Sequence, residues 1–540
     1  MDRLSALPKP ILHAILAKLP DKDAARTIAL SKAWRDTWFS FPYISVWSDD
    51  PLIKDHRFYH MDILVGYVTK KLLRLRDQGL AIKEFKLNLK FLEYTQMSHH
   101  HFDQWIQMAS ESGIEVLELY LPDIGREYSE DNWYILPLCV TQAKSLTKLV
   151  LSSGIRVDQE FISHSMKFSS LKMLSLCYIL FTHDGILQSL ISHCPLIEHL
   201  YVKICYVPND LSTQNPLASR IDRVKSLFLS GLQNLKEVDV QGIEEVHIDS
   251  PNLENLSYRP MGFNAPFKLN FDSCTKLRCL CITDLESTII TDKWFLELFS
   301  KYPFLESLKL DNCPMSERSN IMSAQLKVLK LRHCSNLKEV NIDAPHLLSL
   351  EYCGSDKPVI SLMKCSNKLE VRVDICVDYQ HFYSLRDFIL NIPQKILASL
   401  SLVVRPSYRD DPYVPAFQVY AIPPSIKHLE FREDAVPSSK ALYGPLVNYL
   451  LSSCFPEKIS FRYVWGTMHS FIEFFYEMLM GSKKGECHCS SGNRKCWWHS
   501  LKVVKISCSY MNRENVDLKS MFYGSRCDCK AKTITFSLEM

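Results

Sequence analysis

Glycine is scarce in this sequence, with 16 among 540 residues, so little is left for loops that cradle phosphate. None of the patterns G-x-x-x-x-G-K-[ST], G-x-S-x-G or H-E-x-x-H is present, which removes the usual local signatures of nucleotide, serine-hydrolase and metalloprotease chemistry. Excess charge of one sign is lacking too. Lys and Arg number 63 against 60 Asp and Glu, a formal net charge of +3, and phosphate binding needs a concentrated basic surface, so nucleic acid is not an expected partner. No apolar run reaches the length of a membrane span, and Met1-Asp2-Arg3 opens without the apolar stretch of a signal peptide. A cytosolic or nuclear protein without membrane contact is expected. The 19 cysteines are then expected to be reduced thiols, not a disulfide framework. What is present is the composition of an ordinary soluble protein, 47% hydrophobic and 23% charged, with ample material for a core.

The first 42 residues carry a helical pattern with one apolar side. Ile11, Leu12, Ile15, Leu16 and Leu19 recur at helical spacing. Pro8 and Pro10 suit a first turn, where a missing N–H costs nothing, and Pro20 stops the run. Asp21 and Asp23 offer capping carboxylates for a second helix over 24–38, which carries Ala25, Ile28, Ala29, Trp34 and Trp38. Leu7-Pro8, Ile11, Ile15-Leu16, Leu19-Pro20, Asp23-Ala24, Arg26-Thr27, Leu30-Ser31-Lys32, Trp34-Arg35, Trp38 and Pro42 together resemble an F-box, particularly its plant form. Ala33 stands where a basic residue is common and Pro10 is unusual in the first turn, but neither removes an apolar contact. The resemblance implies docking on the Skp adaptor of a cullin–RING ubiquitin ligase through Leu7, Pro8, Ile11, Leu12, Ile15, Leu16, Leu19, Leu30 and Trp34. Some of these must form the core of the hairpin itself. A segment of about 40 residues buries too little surface to stand alone, so an apolar partner is expected on that ground as well.

Beyond Pro42, 65–75 reads as an amphipathic helix with Lys70, Lys71, Arg74 and Arg76 on its wet side. L-x-x-L-x-L units then start at Ile114, Leu146, Leu171, Ile197 and Val224, the last four at steps near 26 residues, inside the range of leucine-rich repeats, about 20–29. Helical stretches at 184–194 and 292–301 are each followed by proline and another such strand. At Leu235, Ile243 and Leu253, and again at Leu326, Leu337 and Leu347, the units crowd too closely for helices, so compact coils with a second short strand on the outer face are expected. Such coils resemble plant F-box proteins with leucine-rich repeats, as in Asn336-Leu337-Lys338-Glu339-Val340-Asn341-Ile342. Further strands at 397–402, 426–431 and 458–461 extend the array, and the proline-rich 406–424 reads as a surface loop. The expected architecture is α/β: an F-box at 1–45, a transitional segment at 46–112, an irregular repeat solenoid at 113–462 and a cysteine-rich cap at 463–540.

Cys205, Cys313, Cys334 and Cys376 fall where a repeat ladder uses Asn or Cys to bond backbone in the turn after the strand. The positions between the leucines face outward and are free to vary; Lys309, Asp311, Lys330 and Arg332 on consecutive repeats are candidates for one target-binding patch, with a plainly solvated face as the alternative. Cys487, Cys489, Cys496 and His499 would make a Cys₃His set, but a C-x-C pair departs from the zinc knuckle and no second knuckle follows. No metal and no cofactor is expected. The segment 495–506 also resembles the terminal region of plant F-box repeat proteins, which implies a last structural strand. Together these patterns point to a non-catalytic substrate-recognition subunit of an SCF-type ligase, linked through the adaptor to the cullin and holding an unknown target protein. The alternatives are a ligand-sensing receptor of the same architecture, a non-degrading scaffold, and a zinc or thiol enzyme built on the C-terminal cysteines.

Overall fold

The computed structural model describes residues 4–19, 21–47, 60–89, 99–122, 133–163, 168–208, 221–260, 268–285, 288–354 and 358–378. After that it describes 389, 392, 397, 400–407, 425–431, 440–444, 446–447, 454–462, 467–482, 503–508 and 533–539. The chain divides into two compact units, Met1–Leu277 and Arg278–Met540.

Proline opens the first helix. Pro8 stands at the N-cap of α1 (Lys9–Leu16) and Pro10 lies in its first turn, where its fixed φ is preorganised for the helix. The single second helix expected over 24–38 is two. α2 (Asp21–Arg26) runs into a tight turn at Thr27–Ala29, and α3 (Lys32–Phe39) starts afresh. Ser31 makes the break: its backbone is extended and its hydroxyl accepts the Trp34 N–H at 3.2 Å, a capping arrangement that a continuous helix does not allow. Leu12, Leu16, Ala24, Trp34 and Phe41 close on one another as a small core, with Leu7, Ile15, Trp38 and Tyr43 against it.

α3 leads without a linker into strand Tyr43–Trp47, which pairs in parallel with Glu84–Asn88. The segment expected as a transition therefore already lies in the sheet, and its helix is longer than the pattern predicted, α4 (His60–Asp77). In-register parallel pairing continues through Val116–Tyr120, Lys148–Ser152, Met173–Cys177, His199–Lys203, Glu237–Gln241 and Asn255–Arg259. Each strand buries two alternating apolar side chains, such as Leu174 and Leu176, while a third, such as Leu171, fills the approach to it. Each is worth about 1.5–3 kcal/mol when fully buried.

The Val224 unit is not the next rung of this ladder. Its strand Ser226–Ser230 belongs to a separate sheet with Glu245–Asp249 and Lys268–Asn270, and the inner strand after His199–Lys203 is Glu237–Gln241. The crowded units thus alternate, with Leu235 and Leu253 leading inner strands and Ile243 an outer one. The step to Val224 mimics the repeat length because outer strands carry the same L-x-L burial.

Four successive inner turns share one device. Ser153, Tyr178, Ile204 and Gly242 adopt left-handed backbone at φ 59°, 58°, 49° and 84°. Their N–H groups donate to the last carbonyl of the next inner strand, on Cys177, Lys203, Gln241 and Arg259, at 2.8, 2.9, 2.8 and 2.8 Å. A buried anchor follows, Ile179, Cys205 or Ile243.

The second unit repeats this plan. Cys279–Thr283, Ser307–Asp311, Val328–Arg332, Ser349–Gly354, Glu370–Asp378, Leu400–Ser407, Ser425–Phe431 and Phe455–Arg462 run parallel. Thr533–Glu539 and Val503–Cys508 close the ladder antiparallel, and helix Thr467–Ser482 sets Phe471 and Phe475 against Phe461. Arg318–Met322, Glu339–Asp343 and Val359–Lys364 form the outer sheet. Its first strand is met by Asp292, whose carboxylate accepts the Asn320 N–H at 2.8 Å and the Asn320 side-chain amide at 2.6 Å. Cys376 departs from expectation. It lies inside strand Glu370–Asp378, paired with Arg405, because this strand runs nine residues where the two inner strands before it run five and six.

Gly242 stacks closely on the turn before it. A Cβ there would meet Ile204 Cα at 3.2 Å, whereas Gly231, also at positive φ, has open space around it. Gly231→Ala is expected to cost about 1 kcal/mol of backbone strain, and Gly242→Ala about 1–3 kcal/mol, read as the difference in their thermal melts.

Candidate functional site

The apolar residues of α1 to α3 divide into two sets. Leu12, Leu16 and Trp34 are 2%, 1% and 3% exposed and form the core of the hairpin, so their contribution to any partner is indirect. Leu7 and Ile15 are half-buried against that core. Pro8, Ile11, Leu19 and Leu30 face outward, Ile11 at 47% and Leu30 at 66% exposure. Leu4 is 56% exposed as well and was not among the residues singled out by helical spacing, because it precedes the helix. A hairpin whose core is complete yet which keeps Leu4, Ile11, Leu19 and Leu30 outside has the composition of a docking surface.

The four charged candidates on the repeat strands do come together. Lys309 pairs in register with Lys330, and Asp311 with Arg332, on neighbouring strands of the second unit. Sequence reasoning missed the residue that organises them. Glu351, beside Lys330 in the next strand, accepts from Lys330 at 2.8 Å and from Arg332 at 2.6 Å. Burial alone would push its carboxyl up, but those two hydrogen bonds and charges hold it below the usual glutamate range. Lys330 and Arg332 are thus committed to Glu351. Lys309 is exposed and has no ion pair among the described residues.

The same motif recurs. Glu118, nearly buried, accepts from Lys148 at 2.8 Å with Lys86 at 3.9 Å, and buried Glu430 holds Arg372 at 3.1 Å and Arg462 at 3.3 Å. The legible signal is a glutamate between two core residues, as in Leu117-Glu118-Leu119, Leu350-Glu351-Tyr352 and Leu429-Glu430-Phe431.

The ladder cysteines bond as the repeat pattern predicts. The Cys205 thiol lies 3.9 Å from the Leu176 carbonyl, Cys313 3.6 Å from that of Ile282 and Cys334 3.7 Å from that of Leu310, each reaching the previous inner strand. Burial pushes each of these thiols up to about 12. No group of three or more His, Cys, Asp or Glu fit for a metal occurs among the described residues, and Cys487, Cys489, Cys496 and His499 lie outside them.

Comparison with known proteins agrees with this geometry. Residues 4–44 match the F-box domain family, residues 102–284 the repeats of FBD-associated F-box protein At5g56370, and residues 262–416 the leucine-rich-repeat domain of At1g61320/AtMIF1. The chain carries an F-box and leucine-rich repeats of the plant type. It is similar to the Arabidopsis thaliana FBD-associated F-box protein At4g13985, 27% identical over 257 residues that cover 47% of this chain and 51% of that protein. FBD-associated F-box protein At5g60610, also from Arabidopsis thaliana, is 25% identical over 358 residues, covering 64% of this chain and 83% of that protein. The putative F-box/FBD/LRR-repeat protein At5g22610 of the same plant is 27% identical over 399 residues, covering 67% of this chain and 75% of that protein. The chain spans about half the length of the first curated relatives it matches, 51%, 55% and 54% of their own residues.

Two outcomes follow for the repeats of this chain. Because the folded Glu351 carboxyl sits below its unfolded value, its contribution is fully present above the ordinary glutamate range and is lost as pH falls through the folded value. Glu351→Gln is expected to flatten that acid limb of a stability-against-pH curve measured by denaturant melts. In native protein at pH 8, Cys205, Cys313 and Cys334 are expected to stay unmodified by iodoacetamide while half-exposed Cys281 and Cys365 react, as read by peptide mass spectrometry.

Proposed function

We propose that this chain is the target-recognition subunit of an SCF-type cullin–RING ubiquitin ligase, acting in the cytosol or nucleus. The F-box binds the Skp adaptor and through it the cullin, and the repeat strands hold a target protein. The observation that carries this reading is the outward apolar set Leu4, Ile11, Leu19 and Leu30 on a hairpin whose own core is already filled. Burying that set in an adaptor groove removes it from water, and the driving force scales with the apolar area covered.

Target binding is assigned to the outward positions of the second unit's inner strands, with Lys309 and Asp311 making contact and Glu351 fixing Lys330 and Arg332 in place. No acid, base or nucleophile is required of this chain. Its contribution is effective concentration: holding target lysines near the ubiquitin carrier turns a bimolecular encounter into an intramolecular one.

Ile11→Asp combined with Leu30→Asp is expected to weaken adaptor binding at least about tenfold, measured by titration calorimetry, without changing the melt of the repeats. Leu16→Ala is the contrasting variant: it empties a core site and is expected to destabilise the F-box itself by about 2–5 kcal/mol. Undiminished adaptor binding by the double aspartate variant would contradict the proposal.

A further inference from the structure

The basic residues of α4 do not all point into water. The Lys71 ammonium donates to the Tyr43 carbonyl at 2.9 Å and lies 4.5 Å from the centre of the Trp38 ring and 5.8 Å from that of Phe41. One helical turn on, the Arg74 guanidinium lies 4.1 Å over the Phe39 ring. Trp38 and Phe41 belong to a continuous chain of rings across the junction. His13 of α1 meets Phe41 edge-on at 5.8 Å, Trp38 stacks on Phe41 at 5.7 Å, and Phe41 contacts Tyr43 at 4.8 Å. Tyr43 is the first residue of the sheet, and the preceding Pro42 carbonyl accepts N–H groups of Lys83 at 2.8 Å and Glu84 at 3.4 Å.

We infer that Lys71 and Arg74 are positioning residues that clamp the F-box to the first strands of its repeat sheet, fixing the angle between the docking hairpin and the repeats that follow it. The chain passes from one to the other with no spacer, so two forces oppose hinging about Phe41 and Pro42. One is the strand pairing of Tyr43–Trp47, and the other is the attraction of two cations for the faces of three rings on the hairpin side. Lys71 joins both, holding the strand's first carbonyl and the ring stack with one ammonium. The inference rests on the proposed function only for its purpose, since a ligase subunit must present its target at a set distance from the carrier. The clamp itself is a property of the chain alone.

The test uses the full chain without any adaptor. Nitroxide-bearing unnatural residues replace the exposed Lys18 in the F-box and Lys144 among the repeats of the same unit, and the distance distribution is read by pulsed electron resonance. A single narrow distribution is expected for the parent. Lys71→Gln with Arg74→Gln is expected to broaden it at least twofold with the repeat melt unchanged, and Lys71→Arg with Arg74→Lys to restore the narrow form. An unchanged width in the glutamine pair overturns the clamp, and so does broadening that the charge-retaining pair fails to reverse. Arg74→Gln alone, at an exposed position, keeps the test open if the pair fails to fold: it is expected to broaden the distribution in part, and an unchanged width overturns the role of Arg74. Adaptor binding is measured separately. If the parent does not bind it, the ligase reading fails while the distance result still decides the clamp.

Discussion

In both units one backbone hydrogen bond recurs at the end of the inner strands: a residue in left-handed conformation donates its N–H to the terminal carbonyl of the next strand. Ser153, Tyr178, Ile204 and Gly242 do so in the first unit, Asp284 and Asn312 in the second. The opposite end is pinned by a shared carbonyl. Glu115 O receives the N–H groups of both Thr147 and Lys148, Lys172 O those of Glu198 and His199, and Glu306 O those of Lys327 and Val328. Between two such pins a strand has no freedom to slip, and a one-residue slip would turn every leucine outward. A β-branched Ile204 is held at φ 49°, a conformation unfavourable for that side chain, because the stack on either side over-determines it.

This constraint is what sets the outward positions beside one another. With every strand at the same depth, Lys309, Lys330 and Glu351 fall side by side, as do Asp311 and Arg332, though 21 residues or so separate them in the chain. Cross-strand glutamates then neutralise and orient the cations. The strand starts carry a second charge pattern, with Glu198 between Lys236 at 2.7 Å and Lys172 at 3.1 Å; these hydrogen bonds hold its carboxyl down to about 2. Exposed pairs of this sort contribute little stability and serve register more than strength.

Much of this was legible in the sequence because leucine periodicity and strand burial are one signal. The strands after Ile114, Leu146, Leu171 and Ile197, the helix Asp292–Lys301 and the bonding of Cys205, Cys313 and Cys334 lie where the spacing put them. The misreadings have local causes. An outer strand such as Ser226–Ser230 buries the same alternating pattern as an inner one, so periodicity cannot tell them apart. Ser31 reads as a tolerable residue within a helix until its hydroxyl is seen to cap α3. Lys71 and Arg74 look solvated because hydropathy counts their charge and ignores a ring face as a partner. In the F-box, spacing identified the apolar residues but not which of them are needed inside: Leu12, Leu16 and Trp34 are, and Ile11 and Leu30 are not.

Two surfaces are thus separate in their physics, one apolar and left uncovered by a finished core, the other polar and held in register by backbone. Hydrogen exchange of the full chain with and without a purified Skp-type adaptor tests that separation most directly. Slowed exchange confined to α1 and the turn around Leu30, with strands Ser307–Asp311 and Val328–Arg332 unaffected, is the predicted result. Adaptor-induced protection on those repeat strands, or none on the F-box, would contradict it.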